Sequence, residues 1–168
     1  MTEPRWLDDD EQRTWRSFLT ASRLLWDRID RQLQHGAGLP HAYYEILARL
    51  SEAPGRTLRM SQLATSSLSS RSRLSHAVSR MEEAGWVLRR PCPSDRRGAL
   101  AELTDAGLAR LESAARGHVE EVRTLLFDQL SPAQQAALLD ISEALTAHLA
   151  PEPLWPAVAD RAADDEQR

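Results

Sequence analysis

The chain has one cysteine, Cys92, and no lysine: all 21 basic residues are arginine. The missing lysine is a matter of composition rather than mechanism, but the lone thiol is informative. It excludes an internal disulfide and is too few for a cysteine-based zinc site. The five histidines (His35, His41, His76, His118 and His148) never stand at metal-ligand spacing from one another. No structural metal and no cofactor is expected. No apolar run approaches the roughly 18 residues that a membrane span needs. The N-terminal MTEPRWLDDDEQ is acidic rather than basic-then-apolar, so no secretory signal and no membrane association are expected, and the cytoplasm is the expected compartment. Catalytic motifs are lacking too. There is no phosphate-binding glycine loop and no Gly-x-Ser-x-Gly elbow, and no histidine and carboxylate stand beside a nucleophile in a familiar pattern. The chain does not read as an enzyme.

What is present is one domain's worth of globular sequence: 168 residues, 42% hydrophobic and 27% charged. The net charge of −4 hides a strong asymmetry. Between Arg56 and Arg97 stand nine arginines (56, 59, 71, 73, 80, 89, 90, 96 and 97) and three acids (Glu82, Glu83 and Asp95), a local excess of six positive charges. The remaining residues carry an excess of ten negative ones. A basic block in an acidic chain suits a polyanion such as DNA, although scattered surface arginines produce the same count.

Periodicity orders the elements. Trp15, Phe18, Leu19, Ser22, Leu25, Trp26, Ile29 and Leu33 recur at steps of three and four, predicting a helix over 9–34 that His35-Gly36-Ala37-Gly38 stops. A second helix starts near Pro40, carries Tyr43, Ile46, Leu47 and Leu50, and ends at Pro54-Gly55. After Leu58-Arg59-Met60 comes a brief helix from Ser61 with Leu63 and Ala64. The polar turn Thr65 to Ser69 leads into a helix from Ser70 to Ala84. One side of that helix is apolar (Leu74, Ala77, Val78, Met81); the other carries Ser72, His76 and Ser79 flanked by Arg73 and Arg80. Gly85 closes it. Strands are expected at Trp86–Arg90 and Ala99–Leu103, with residues 91–98 as a loop rather than a tight hairpin turn. Thr104 suits the N-cap of a long helix with a Leu108, Leu111, Ala115, Val119, Val122, Leu125, Leu126 stripe. Ser131-Pro132-Ala133-Gln134 has capping-box spacing with proline at the first helical position, and the last helix runs through Leu138, Leu139, Leu145 and Leu149 to Pro151.

A short helix, a turn, a polar arginine-bearing helix and a basic hairpin follow in the order of a winged helix-turn-helix. A helix of that kind fits the major groove, and an arginine-tipped loop suits the narrow minor groove, where negative potential is highest. Taken separately, each element is also an ordinary amphipathic surface helix or a charged hairpin. Asp95 can fix a neighbouring guanidinium by a charge-assisted hydrogen bond.

The run Asp95-Arg96-Arg97-Gly98-Ala99-Leu100-Ala101-Glu102-Leu103-Thr104-Asp105-Ala106-Gly107 resembles the wing signature of the MarR family of bacterial regulators. Arg59 to Ala64, Ser75 to Glu82 and Gly85-Trp86-Val87 add to the resemblance, which covers about residues 43 to 107. Ala101 is smaller than the β-branched residue common in that strand. The resemblance implies a mainly α fold with a small β-hairpin wing: a winged helix-turn-helix over 40–103, a helical dimerisation region over 9–34 and 104–150, and flexible termini at 1–8 and 151–168. It implies a homodimer on a palindromic operator in double-stranded DNA, with repression as the default mode. The DNA-binding candidates are Ser70, Arg71, Ser72, Arg73, His76 and Arg80 on the recognition helix and Asp95, Arg96 and Arg97 on the wing, Arg97 being the minor-groove arginine and Asp95 its support. It also implies release by a small aromatic or anionic effector, for which Trp15, Trp26, His41, Tyr43 and Tyr44 are lining candidates, each equally suited to core or interface. Cys92, beside Arg89, Arg90, Arg96 and Arg97, stands where a thiol pKa would be lowered. Relatives that sense oxidants place their cysteine in the first helix, where this chain has none, so a redox role does not carry over. The rival reading is a ligand-binding or antagonist partner of the same fold without DNA recognition, against which the Asp95-Arg96-Arg97 tip argues.

Overall fold

A computed structural model describes residues 4–93 and 95–150, with Arg96 and Arg97 described by their backbone alone. The order is α1 (Asp9–Ala37), α2 (His41–Glu52), a 3-10 turn (Pro54–Arg56), β1 (Thr57–Arg59), α3 (Met60–Ser66), α4 (Arg71–Glu83), β2 (Val87–Cys92), β3 (Asp95–Leu103), α5 (Asp105–Leu125), a second 3-10 turn (Phe127–Gln129) and α6 (Pro132–Leu149). The expected fold class holds: mainly helical, with one small antiparallel sheet of order β1-β3-β2. The expected tail at 151–168 lies outside the described residues.

Local chemistry starts and stops these elements. Asp8 accepts from the Glu11 amide while Glu11 accepts from the Asp8 amide, a reciprocal cap at the positive end of α1. The helix runs three residues past the expected stop. Gly36 stays helical, and only Gly38 turns left-handed, at φ 58°, its N–H bonding to the Gln34 carbonyl. Thr104 caps α5 by accepting from the Gly107 amide, and Ser131 caps α6 with Gln134 returning the bond.

The sheet corrects two expectations. There is a third strand, β1, whose Leu58 pairs with Ala101 of β3. Three residues are too few to show alternation, so only pairing makes this segment a strand. The connection at the wing is two residues long rather than eight, because β2 continues to Cys92 and β3 starts at Asp95. Pro91 is tolerated there because β2 is an edge strand, and a register shift at Pro91/Cys92 takes up the mismatch.

Leu33 of α1, Leu39 of the α1–α2 connection, Leu47 and Leu50 of α2, Leu63 of α3, Leu74, Val78 and Met81 of α4, and Val87 of β2 are the largest fully buried side chains of the core. The α5 stripe enters it at Gly107, Leu111 and Ala114 rather than Ala115, and Val119 is exposed. The N-terminal half of α1 and the whole of α6 stay out: α6 has no buried residue. No helix among the described residues is long and apolar enough to cross a membrane.

Candidate nucleic-acid interface

The helix-turn-helix consists of α3 and α4. Leu63 and Ala64 anchor α3, Gln62 accepts from the Arg59 amide at its start, and the turn holds Leu68 at φ 48°. Leu74, Val78 and Met81 seat α4 on the core. The opposite side is solvent-facing and presents Arg71, Ser72, Arg73, His76 and Arg80. Ser70 is exposed too, but its hydroxyl accepts from the Arg73 amide at 3.3 Å. It starts the recognition helix, which supplies a structural reason for its presence beside any contact with DNA. Ser79 is half-buried and accepts from Arg89 at 2.9 Å, so it faces the wing rather than solvent.

Between α4 and the wing lies a cleft of about 460 Å³ lined by Arg59, Arg71, Ser75, Arg89, Asp95 and Gly98, among others. Asp95 folds back over the hairpin: a Cβ on Gly98 would stand 3.0 Å from its Oδ2 and 3.1 Å from Cys92 Cβ. Glycine at 98 leaves room for that carboxylate. The side chains of Arg96 and Arg97 lie outside the described residues.

The basic block is less uniformly available than its count suggests. Arg56 pairs with Asp105 at 3.0 Å, Arg80 with Glu83 at 3.3 Å, Arg89 with Glu82 at 3.1 Å and Arg90 with Glu102 at 2.5 Å. Among the described residues Arg71 and Arg73 enter no ion pair, and both are exposed at the first turn of α4. Cys92 is only 6% exposed, and two of the arginines read beside it hold carboxylates instead. Sequence order alone placed that thiol in a more open setting than the fold does.

Three of the five effector candidates come together at the corner of α1, α2 and α5, joined by one that sequence reasoning missed. The Trp26 ring meets His41 edge-on at 5.1 Å, His41 stands 6.3 Å from His118, and Tyr44 packs on His118 at 4.3 Å. Burial, then the neighbouring His41, lowers the His118 pKa below the ordinary 6.5. Burial, with Glu52 in support, raises the Tyr44 phenol above 10.0. His118 Nδ1 is shielded and, among the described residues, has no hydrogen-bond partner. The signal for His118 was its spacing: 111, 114 and 118 continue the buried face of α5. Trp15 does not join, because eleven helical residues carry it about 16 Å along α1 from Trp26; it packs instead on Phe18 at 6.4 Å. Tyr43 packs against the core and makes no ring contact with the cluster. Among the described residues no group of three or more histidines, cysteines and acids is arranged to hold a metal.

The MarR family model matches residues 37–98. Sco3205, a MarR family transcriptional regulator from Streptomyces coelicolor crystallised with DNA, is 49% identical, covers 90% of this chain and 99% of its own, and superposes with a TM-score of 0.84. AbsC, a MarR family transcriptional regulator from the same organism, is 43% identical over 89% of this chain and 100% of its own, with a TM-score of 0.82. The HTH-type transcriptional regulator PecS of Dickeya dadantii (strain 3937) is 35% identical over 85 residues, and the match spans about half of each protein, 49% of this chain and 51% of PecS. Identity near one half along almost the whole length of a solved relative, on the fold described above, leads to one conclusion: the chain belongs to the MarR family.

Proposed function

We propose that the protein is a sequence-specific DNA-binding transcriptional regulator that acts as a homodimer. The observation that carries this reading is the solvent-facing row of Arg71, Ser72, Arg73 and His76 on α4, set beside the Asp95 hairpin on one side of the domain. Helix α4 enters the major groove, and the wing, through Arg97, enters the adjacent minor groove. The relative at 49% identity was crystallised with DNA, which supports the same use here.

Dimerisation through α1, α5 and α6 is supported by what these helices leave uncovered. Leu139, Ile141, Leu145 and Leu149 of α6 and Trp15 and Phe18 of α1 are exposed, an apolar area that a single chain does not bury. Two copies would set two α4 helices against half-sites about 34 Å apart, hence a palindromic operator. Repression, the family's usual mode, is the proposed outcome of binding. The Trp26, His41, Tyr44 and His118 cluster supports an effector site, since it joins the dimerisation helices to α2 and leaves a shielded imidazole nitrogen unpartnered among the described residues.

The test is binding of the purified protein to the intergenic DNA upstream of its own gene, wild type against Arg97→Ala, across a salt series. Tight binding that falls steeply with salt and is weakened by Arg97→Ala is expected. A stable dimer that binds neither this DNA nor any member of a genomic fragment library would favour the ligand-binding partner reading.

A further inference from the structure

We propose that Arg89 is a positioning residue for DNA recognition: it ties the wing to three successive turns of α4 and sets the angle between the two DNA-reading elements without touching DNA itself. This rests on the DNA-binding function proposed above.

The contacts are specific. Arg89 Nη2 donates to the Ser75 carbonyl at 2.8 Å and to Ser79 Oγ at 2.9 Å. Its Nε stands 3.1 Å from Glu82 Oε2, and its backbone N–H donates to Glu82 Oε1 at 3.0 Å. Residues 75, 79 and 82 form one stripe along about 10 Å of helix. One side chain thus grips α4 along its length, and the Glu82 carboxylate in turn covers the free edge of β2 at Arg89, where no further strand pairs. The Arg89 side chain is 29% exposed, so the network is partly shielded from solvent.

Val87, Ala101 and Leu103 share the buried core with Leu74, Val78 and Met81, which seats the base of the sheet on α4, and Arg89 lies two residues further along β2 toward the tip. The β2–β3 hairpin pairs with β1, and its covalent link to α4 is the short turn through Ala84, Gly85 and Trp86. Gly85, at φ 75°, closes α4 there, its N–H bonding to the Glu82 carbonyl and that of Trp86 to the Met81 carbonyl. The Arg89 network adds a polar restraint, nearer the tip than the core contacts, on how α4 rotates relative to the hairpin. Rotating a helix of about 5 Å radius by about 15° moves its surface by about 1.3 Å, enough to break a hydrogen bond to a base edge. Ser72 and His76 lie on the face next to this stripe, so they are the groups displaced.

The test compares Arg89→Lys, Arg89→Met and Glu82→Ala with wild type for binding to DNA that wild type recognises, over a salt series, with thermal unfolding as a fold control. The expected result is roughly a tenfold loss of affinity in all three with the wild-type salt slope retained. Lysine keeps the charge but cannot span the same acceptors. Glu82→Ala removes a negative charge near DNA and still weakens binding, the opposite of an electrostatic effect. Arg89→Lys binding as wild type, Glu82→Ala binding as tightly or more tightly, or a salt slope reduced by about one would each overturn the proposal in favour of a phosphate contact or a passive site. If wild type binds no DNA, the DNA reading fails separately, and amide exchange decides the strut: faster exchange over 75–83 and 87–92 in Arg89→Met, with α5 unchanged, supports it, and unchanged exchange there overturns it.

Discussion

Gly107 and Trp86 are in contact through backbone: a Cβ built on Gly107 would stand 2.1 Å from the Trp86 carbonyl oxygen. Thr104, three residues earlier, donates through its hydroxyl to the Gly85 carbonyl at 2.7 Å, and Arg110, three residues later, lies over the Trp86 ring at 5.4 Å and bonds to the Ala37 carbonyl. The first turn of α5 is thereby locked to the base of the wing and to the end of α1.

Gly107→Ala is accordingly expected to be strongly destabilising. The obstacle is backbone, which cannot rotate aside as a side chain does, so the cost exceeds the usual overpacking range of about 1–3 kcal/mol. Chemical unfolding at matched protein concentration measures it. A loss under about 1 kcal/mol would show that the α5–Trp86 contact yields easily.

Protonation of the aromatic cluster has a definite sign. His118 has a folded-state pKa below its ordinary 6.5, so the unfolded chain binds more protons in the interval between the two values. Its stabilising contribution is present above pH 6.5 and is lost as pH falls toward the folded-state value. Wild type should therefore lose more thermal stability between pH 7.5 and pH 5.5 than His118→Phe does. Equal losses in the two proteins would disprove the assignment.

The two exposed arginines at the start of α4 should behave unlike the capping serine between them and the turn. Arg71→Ala and Arg73→Ala are expected to weaken DNA binding and each to lower the salt slope by about one, with little change in unfolding temperature. Ser70→Ala removes the N-cap and should cost about 1 kcal/mol of stability while leaving the salt slope intact. A fall in salt slope for Ser70→Ala would contradict this division of labour.

Leu145→Asp should dissociate the proposed homodimer. A two-fold interface presents each residue twice, and losing a buried leucine costs about 1.5–3 kcal/mol per copy, so dimer affinity should fall more than a hundredfold. Sedimentation across a concentration series reads this directly. A variant that stays dimeric would move the interface away from this face of α6.

The periodic stripes were legible in the sequence because a buried helix face imposes its own spacing. Leu33, Leu74, Val78 and Met81 are core where periodicity put them. Capping was legible for the same local reason: Thr104 and Ser131 act on amides three residues away. The order of helices and the basic hairpin followed from these and from the Asp95 to Gly107 run.

What the tertiary structure decided are relationships between segments far apart in the chain. β1 exists because Leu58 meets Ala101, and no local signal in three residues foretells a partner more than forty residues on. The availability of each arginine was decided likewise: Arg56, Arg89 and Arg90 find their carboxylates only once α5, α4 and β3 are in place. His118 joined His41 and Tyr44 for the same reason. Residue type and spacing are local properties, written into the chain, whereas pairing of charges and rings depends on distances that only the packed fold sets.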